Sequence, residues 1–124
     1  MQNSELYRRG IVLPLDEDAE QAMRSNDVSE TTSVRNLSIA DTGAFEALWE
    51  LGLFREINAR CATLLDDYEE EMVEAASADG IIAAVDAVAR AAAAEDPGMA
   101  RFLDGLRDLA RQASRSSRPL LFVL

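Results

Sequence analysis

The segment DDYEEEMVE, residues 66–74, is the densest cluster of chemically active side chains, with six carboxylates in nine residues. Carboxylate clusters in proteins bind divalent cations, attract cationic partners, or keep the outer side of a helix hydrated. No histidine and no lysine occurs in the sequence, so every carboxylate that needs a basic partner must find an arginine. The segment therefore raises three hypotheses: a metal site, a docking surface and a solvated helix face.

The metal hypothesis starts from Glu71 and Glu74, an ExxE pair that on a helix would project two carboxylates to one side. The pair is similar to the Mg²⁺-binding motif of the all-α nucleotide pyrophosphohydrolases, which need a second carboxylate pair from another helix. Here that pair would be Asp104 and Asp108, which lie about 140° to 180° from the apolar side of their helix and face water. Neither a lysine nor a glycine-rich phosphate loop accompanies them. We therefore expect no enzyme activity, metal or cofactor, and Mg²⁺-dependent nucleotide hydrolysis is the alternative.

The cysteine and the large aromatic residues are interpreted as core residues. Without histidine, Ser-His and Cys-His nucleophilic chemistry and imidazole acid–base catalysis are excluded. Cys61 lies on the apolar side of its predicted helix with no base to lower its pKa, so we interpret it as a buried hydrophobic residue. We expect Trp49 and Tyr68 to pack in the core as well. The all-arginine, alanine-rich composition is typical of a bacterial gene of high GC content.

Charge is distributed unevenly along the chain, whose net charge is −11. Residues 1–96 contain 7 Arg and 21 acidic residues, a net charge of −14, whereas residues 97–124 contain 5 Arg and 2 Asp, a net charge of +3. Such a chain repels nucleic acid and attracts cationic proteins. No run of apolar residues is long enough to span a membrane. A cationic protein partner is therefore expected, with neither nucleic acid nor membrane.

The hydrophobic pattern predicts an α+β fold with a single domain over residues 1–124. Short β-branched or alternating runs predict a small two- or three-stranded sheet. Helical periodicity predicts about four helices that cover one face of this sheet. The predicted strands are 6–13, 32–39 and 119–124, and the predicted helices are 41–52, 53–76, 79–94 and 98–114. DEDAEQAMRS, residues 16–25, also favours a short helix. An all-α bundle with extended ends is the alternative fold.

The predicted helix 53–76 places the acidic cluster. Its apolar residues fall within an arc of about 120°; they are Leu53, Phe54, Ile57, Cys61, Leu64, Leu65, Tyr68 and Met72. Glu56, Asp67, Glu70 and Glu74 form a stripe opposite this arc, and Arg60 is spaced to pair with Glu56. Val73 fits neither side. The stripe is either a solvated face or the surface that binds a cationic protein, and its four residues are the predicted partner-binding set.

The run FEALWELGLFREINARCATLLDDYEEEMVE, residues 45–74, resembles the small acidic immunity proteins that bacteria make against secreted toxins. The resemblance implies a non-catalytic inhibitor that neutralises a cationic toxin or enzyme. The polar amino-terminal segment and the single cysteine favour a cytoplasmic location. A homodimeric structural or regulatory module, built on the helix faces, is a third hypothesis.

Overall fold

The structure, a computed structural model, describes residues 9–29, 31–66 and 69–124. Within these ranges four strands form one antiparallel sheet in the order β2-β1-β4-β3. The strands are β1 (Gly10–Pro14), β2 (Val34–Ser38), β3 (Glu70–Val73) and β4 (Leu120–Val123). The predicted α+β fold is confirmed. The predicted pairing of the two chain ends is also confirmed, because β1 and β4 are the two central strands.

Five α-helices accompany the sheet in the described ranges, and a 3₁₀ turn at Ala75–Ser77 precedes the fourth. The helices are α1 (Glu17–Arg24), α2 (Thr42–Leu51), α3 (Leu53–Cys61), α4 (Ala78–Glu95) and α5 (Pro97–Ser116). Aspartates fix three of the starting points, since the carboxylates of Asp16, Asp41 and Asp96 accept hydrogen bonds from backbone N–H groups of the first turns of α1, α2 and α5. Gly52, at φ 95°, ends α2 and allows α3 to follow directly.

The two faces of the sheet bury different sets of side chains. Ile11, Leu13 and Phe122 point to the face that α2–α5 cover, and they belong to the larger of two buried clusters. Val12 and Leu121 alternate with them and point to the opposite face, where they pack with Met23 of α1 and with Val28. The helices predicted to share one face do so, and α1 covers the other.

The predicted helix 53–76 is wrong beyond residue 61. Helix α3 ends at Cys61, and Ala62 adopts a left-handed conformation at φ 56°. The Asn58 side chain then closes a loop: its Oδ1 accepts from the N–H of Leu65 at 2.7 Å and from Thr63 Oγ1 at 2.7 Å, and its Nδ2 donates to the carbonyl of Leu65 at 3.1 Å. Thus the acidic segment, predicted as the end of a helix, supplies the short strand β3, which pairs with β4.

Several core predictions change with this correction. Leu65 and Val73 are both 2% exposed and reach the core from the loop and from β3, whereas Leu64 is 80% exposed. The predicted burial of Trp49 is wrong, since this residue is 43% exposed. Tyr68 and Asp67 lie outside the described residues.

Leu64 and Leu65, adjacent in the loop after α3, provide a matched test of whether the chain forms a loop here and not the predicted helix. We expect Leu65→Ala to lower the free energy of unfolding by about 2 to 5 kcal/mol, as in other buried leucines cut to alanine. Leu64→Ala should change it by less than about 0.5 kcal/mol, because the side chain is exposed. Urea denaturation of both variants measures the difference. A larger loss for Leu64→Ala than for Leu65→Ala would contradict the structure and restore the helical register.

Candidate functional site

Strand β3 is an edge strand of the sheet and carries Glu70 and Glu71 of the acidic segment 66–74. The N–H of Leu124 donates to the carbonyl of Glu69 at 2.8 Å, which sets the alternation of the ladder with β4. Backbone groups of Glu70 and Met72 consequently point away from the sheet. An edge strand with free backbone groups can pair with another chain, and charged side chains on it disfavour uncontrolled pairing.

The carboxylates at the start of β3 are not neutralised by the rest of the described chain. Glu69 and Glu70 are both exposed, and neither forms an ion pair with another described residue. The edge therefore presents two carboxylates that are adjacent in sequence, beside two backbone positions with no hydrogen bond to another residue of the described ranges. This combination attracts cationic segments and repels acidic ones, including a second copy of the same edge.

The predicted partner-binding residues do not form one stripe. Glu56 lies on α3 and pairs with Arg60 at 3.1 Å, as predicted. Glu70 lies on the edge of β3, and Glu74 follows the strand. Asp67 lies outside the described residues. The helical stripe is therefore wrong as geometry, because α3 ends before the acidic segment begins, and a binding role for these residues stays a prediction.

Glu74 is held by Arg24 at the end of α1. Arg24 Nη1 and Nη2 donate to the two carboxylate oxygens of Glu74 at 3.1 and 2.9 Å, and Arg24 also pairs with Glu20 at 3.0 Å. The hydrogen bonds from Arg24 hold the pKa of Glu74 below its usual value. Those from Glu74 and then Glu20 raise the pKa of Arg24. This bidentate pair fastens α1 to the end of β3, so the first role of Glu74 is structural.

Glu74→Gln should lower stability at neutral pH by about 0.2 to 1 kcal/mol, the usual range for a surface ion pair. The modest value follows because the Glu74 side chain is 57% exposed. Since the pKa of Glu74 is lower in the folded state, the contribution is present above the unfolded-state pKa of about 4.3 and is lost as pH falls through the folded-state value. Urea denaturation at pH 7 and at low pH measures this difference.

Glu70→Gln is the matched control, because Glu70 is exposed at the other end of β3 and has no ion pair among the described residues. Its effect should be near zero at both pH values. A Glu74→Gln effect that persists at low pH would show that the stabilisation does not come from the ionised pair.

The four carboxylates of the Mg²⁺ hypothesis already form hydrogen bonds or ion pairs within the described chain. One Glu71 oxygen, Oε1, accepts from the N–H of Leu64 at 3.0 Å, and Glu74 is bound to Arg24. Asp104 and Asp108 are exposed on α5, where they pair with arginines of the same helix. Within residues 9–29, 31–66 and 69–124, no three acidic or cysteine side chains are grouped in a way that could hold a metal ion.

We therefore expect millimolar Mg²⁺ to leave the melting temperature unchanged, because a ligand stabilises a protein only where it binds the native state preferentially. Differential scanning fluorimetry with and without MgCl₂, at constant ionic strength, measures this. A rise of several degrees that disappears in Glu71→Gln would favour the hydrolase instead.

Cys61 is half-buried where α3 meets α4. Its Sγ donates to the carbonyl of Ser77 at 3.4 Å, and burial raises the pKa of the thiol. A raised pKa disfavours the thiolate, which is the nucleophilic form. The side chain therefore serves the α3–α4 contact and has no features of a catalytic nucleophile.

An aromatic cluster at α2 and α3 was missed by the sequence analysis as a surface feature. The ring centroid of Trp49 lies 5.9 Å from those of Phe45 and Phe54, which are themselves 5.5 Å apart. The guanidinium carbon of Arg9 lies 4.3 Å above the Phe45 centroid. On the helical wheel Trp49 borders the exposed side of α2, next to Glu46, and this position was the available signal.

A separate apolar cleft of about 270 Å³ opens between the end of β2, α2 and the start of α5. Leu48, Met99 and Phe102 line it, and the Asp96 carboxylate beside it is occupied as the cap of α5. Ligand pockets need polar groups placed to orient the ligand. The cleft offers volume without a free charged group among its described lining residues.

Comparison with known protein families, with characterised proteins and with solved structures gives no significant match. None of the helices in the described ranges has the length and apolar composition that crossing a membrane requires.

Proposed function

We propose that this protein is a non-catalytic binding protein that takes a cationic protein as its partner and inhibits it, in the manner of an immunity protein against a toxin or enzyme. The observation that carries the proposal is the exposed edge strand β3. The carboxylates of Glu70 and of Glu69, which precedes the strand, lack ion-pair partners among the described residues, and the outward backbone groups of Glu70 and Met72 have no hydrogen bond to another described residue.

Electrostatic complementarity supports a protein partner with a basic surface. Opposite charges across an interface accelerate encounter and suppress wrong partners. Arginine and lysine side chains of the partner would face Glu69 and Glu70, and a basic extended segment has two backbone positions at which to hydrogen-bond the edge. Of the four residues predicted from the sequence, Glu70 is the one that this geometry favours most.

The test begins with capture of partners from extract of the native cell, followed by mass spectrometry and purification of the main captured protein. We expect a protein with a basic surface whose association rate falls as salt is raised to about 0.5 M, because screening shortens the reach of the charges. The double variant Glu69→Gln/Glu70→Gln should slow association strongly while leaving the melting temperature nearly unchanged. Stopped-flow kinetics measures the association rates of the unaltered protein and of the double variant.

The double variant Glu17→Gln/Asp18→Asn is the matched control, since it removes two exposed carboxylates from α1. Asp18 lies beside Thr32 and Ser33, which precede the opposite edge strand β2, so this control changes net charge equally at a distance from β3. Equal association rates for the two double variants would reject β3 as the docking surface. An acidic or neutral partner that binds independently of salt would reject the proposed function.

A further inference from the structure

Trp49 is the one member of its aromatic cluster that the protein leaves largely open. Phe45 and Phe54 are 4% and 1% exposed, whereas Trp49 is 43% exposed and packs against both. Two buried rings therefore support the indole from below and limit its motion. Supported tryptophans at a surface are among the residues that contribute most to binding energy at protein interfaces.

Two exposed glutamates of α2, Glu46 and Glu50, lie on the side of the helix away from Phe45, and Glu46 is one turn before Trp49. Helical geometry places Glu46 about 60° and Glu50 about 100° around α2 from Trp49, both away from its buried side. Both are exposed, and neither forms an ion pair with another described residue. Two like charges four residues apart repel each other on a helix. Glu50 also lies in the last turn of α2, which has no basic residue of its own, although the Arg55 guanidinium of α3 packs against Gly52 at the end of this helix.

The same cluster already binds one guanidinium from its own chain. The Arg9 guanidinium lies over Phe45, while Arg9 Nε donates to the carbonyl of Leu124 at 2.8 Å. A ring face attracts cations through its quadrupole, and tryptophan attracts them more strongly than phenylalanine. Trp49, which is 43% exposed and one helical turn from Glu46, thus offers a cation a second ring of the same cluster.

We propose that Trp49, Glu46 and Glu50 form a site for an arginine side chain of a partner protein. The guanidinium would stack on the indole, and its N–H groups would donate to the carboxylates of Glu46 and Glu50, a combination that suits arginine better than lysine. The inference rests on the proposed function, because it names the side chain that a cationic partner would present.

The position of this arginine site favours one partner that touches both areas. Arg9 links the aromatic cluster to Leu124, and the N–H of Leu124 binds the carbonyl of Glu69 at the start of β3. Trp49 and the acidic edge therefore lie at the same end of the sheet. A basic protein that covers this end of the sheet would meet Glu69 and Trp49 on the face that α2–α5 cover, while the side chain of Glu70 points to the α1 face, as Met72 does.

The test uses the folded protein and two capped tetrapeptides, one of arginine and one of citrulline, which matches arginine in shape but is uncharged. Trp49 is the only tryptophan in the chain, so its fluorescence reports on this site alone. We expect a saturable change with the arginine peptide and none with the citrulline peptide. An equal response to both peptides would overturn the arginine site.

Variants locate the interaction by the anisotropy of a dye-labelled arginine peptide. Trp49→Leu should weaken binding roughly two- to fivefold, the change expected for an exposed cation–π contact. Glu46→Gln/Glu50→Gln should weaken binding more than the control Glu17→Gln/Asp18→Asn, which has the same net charge. Equal weakening by the two double variants would overturn the proposal, because a general effect of charge would then account for binding.

The outcomes for the two proposals can be told apart. If the arginine peptide alters Trp49 fluorescence but Glu69→Gln/Glu70→Gln does not slow association with the partner, the docking role of β3 is rejected and the arginine site is supported. Suppose instead that the peptide has no effect on Trp49 while association still depends on Glu69 and Glu70: the arginine site then fails and the proposed function stands.

Discussion

The antiparallel pairing of β1 with β4 is the interaction on which the rest of the structure depends. It joins Gly10–Val12 to Leu121–Val123 across nearly the whole chain and places both strands at the centre of the sheet. Phe122 and Ile11 then point to the helices, while Val12 and Leu121 point to α1, so one pairing creates the base of both buried clusters. Strand β3 pairs with β4 alone among the described strands. The acidic strand therefore exists only because the end of the chain is already in the sheet.

This dependence explains what could be predicted from the sequence and what could not. Helices α2, α4 and α5 begin and end within one to two residues of their predicted limits, because aspartate caps, glycine and proline mark their ends locally. The three predicted strands overlap β1, β2 and β4. Each lies in an apolar run that is too short for a helix and that either contains β-branched residues or alternates apolar with polar residues. Local signals were sufficient wherever local interactions decide the structure.

Strand β3 could not be found in this way, because glutamate is disfavoured in strands and the periodicity of residues 53–72 suits a helix. What decides its conformation is the partner strand, about 50 residues away in sequence, together with Asn58, whose side chain closes the loop. Two residues differ most from the predicted helix. Val73 fits no side of that helix and is buried, and Leu64 belongs to its apolar arc and is exposed. The error reached the site, since Glu56 and Glu70 share a stripe only if one helix contains both.

The position of each arginine decides which carboxylates are neutralised, and the net charge of the chain does not show this. Arginines are placed at junctions between elements: Arg24 joins α1 to the end of β3, Arg107 joins α5 to Asp86 of α4, and Arg118 joins the segment before β4 to Glu20. These pairs hold the helices around the sheet. With no lysine in the sequence, arginine is the only basic side chain that can neutralise the other acidic positions.

The carboxylates left without ion pairs in the described ranges include two pairs that are close in sequence, Glu69 with Glu70 and Glu46 with Glu50. Glu46 and Glu50, four residues apart on α2, repel each other by a few tenths of a kcal/mol. Beside one pair lie open backbone groups, and beside the other lies an exposed tryptophan. A basic partner would offset the repulsion between Glu46 and Glu50, supply counter-charges to Glu69 and Glu70, and cover the exposed indole of Trp49, so one cationic surface would act on all three features.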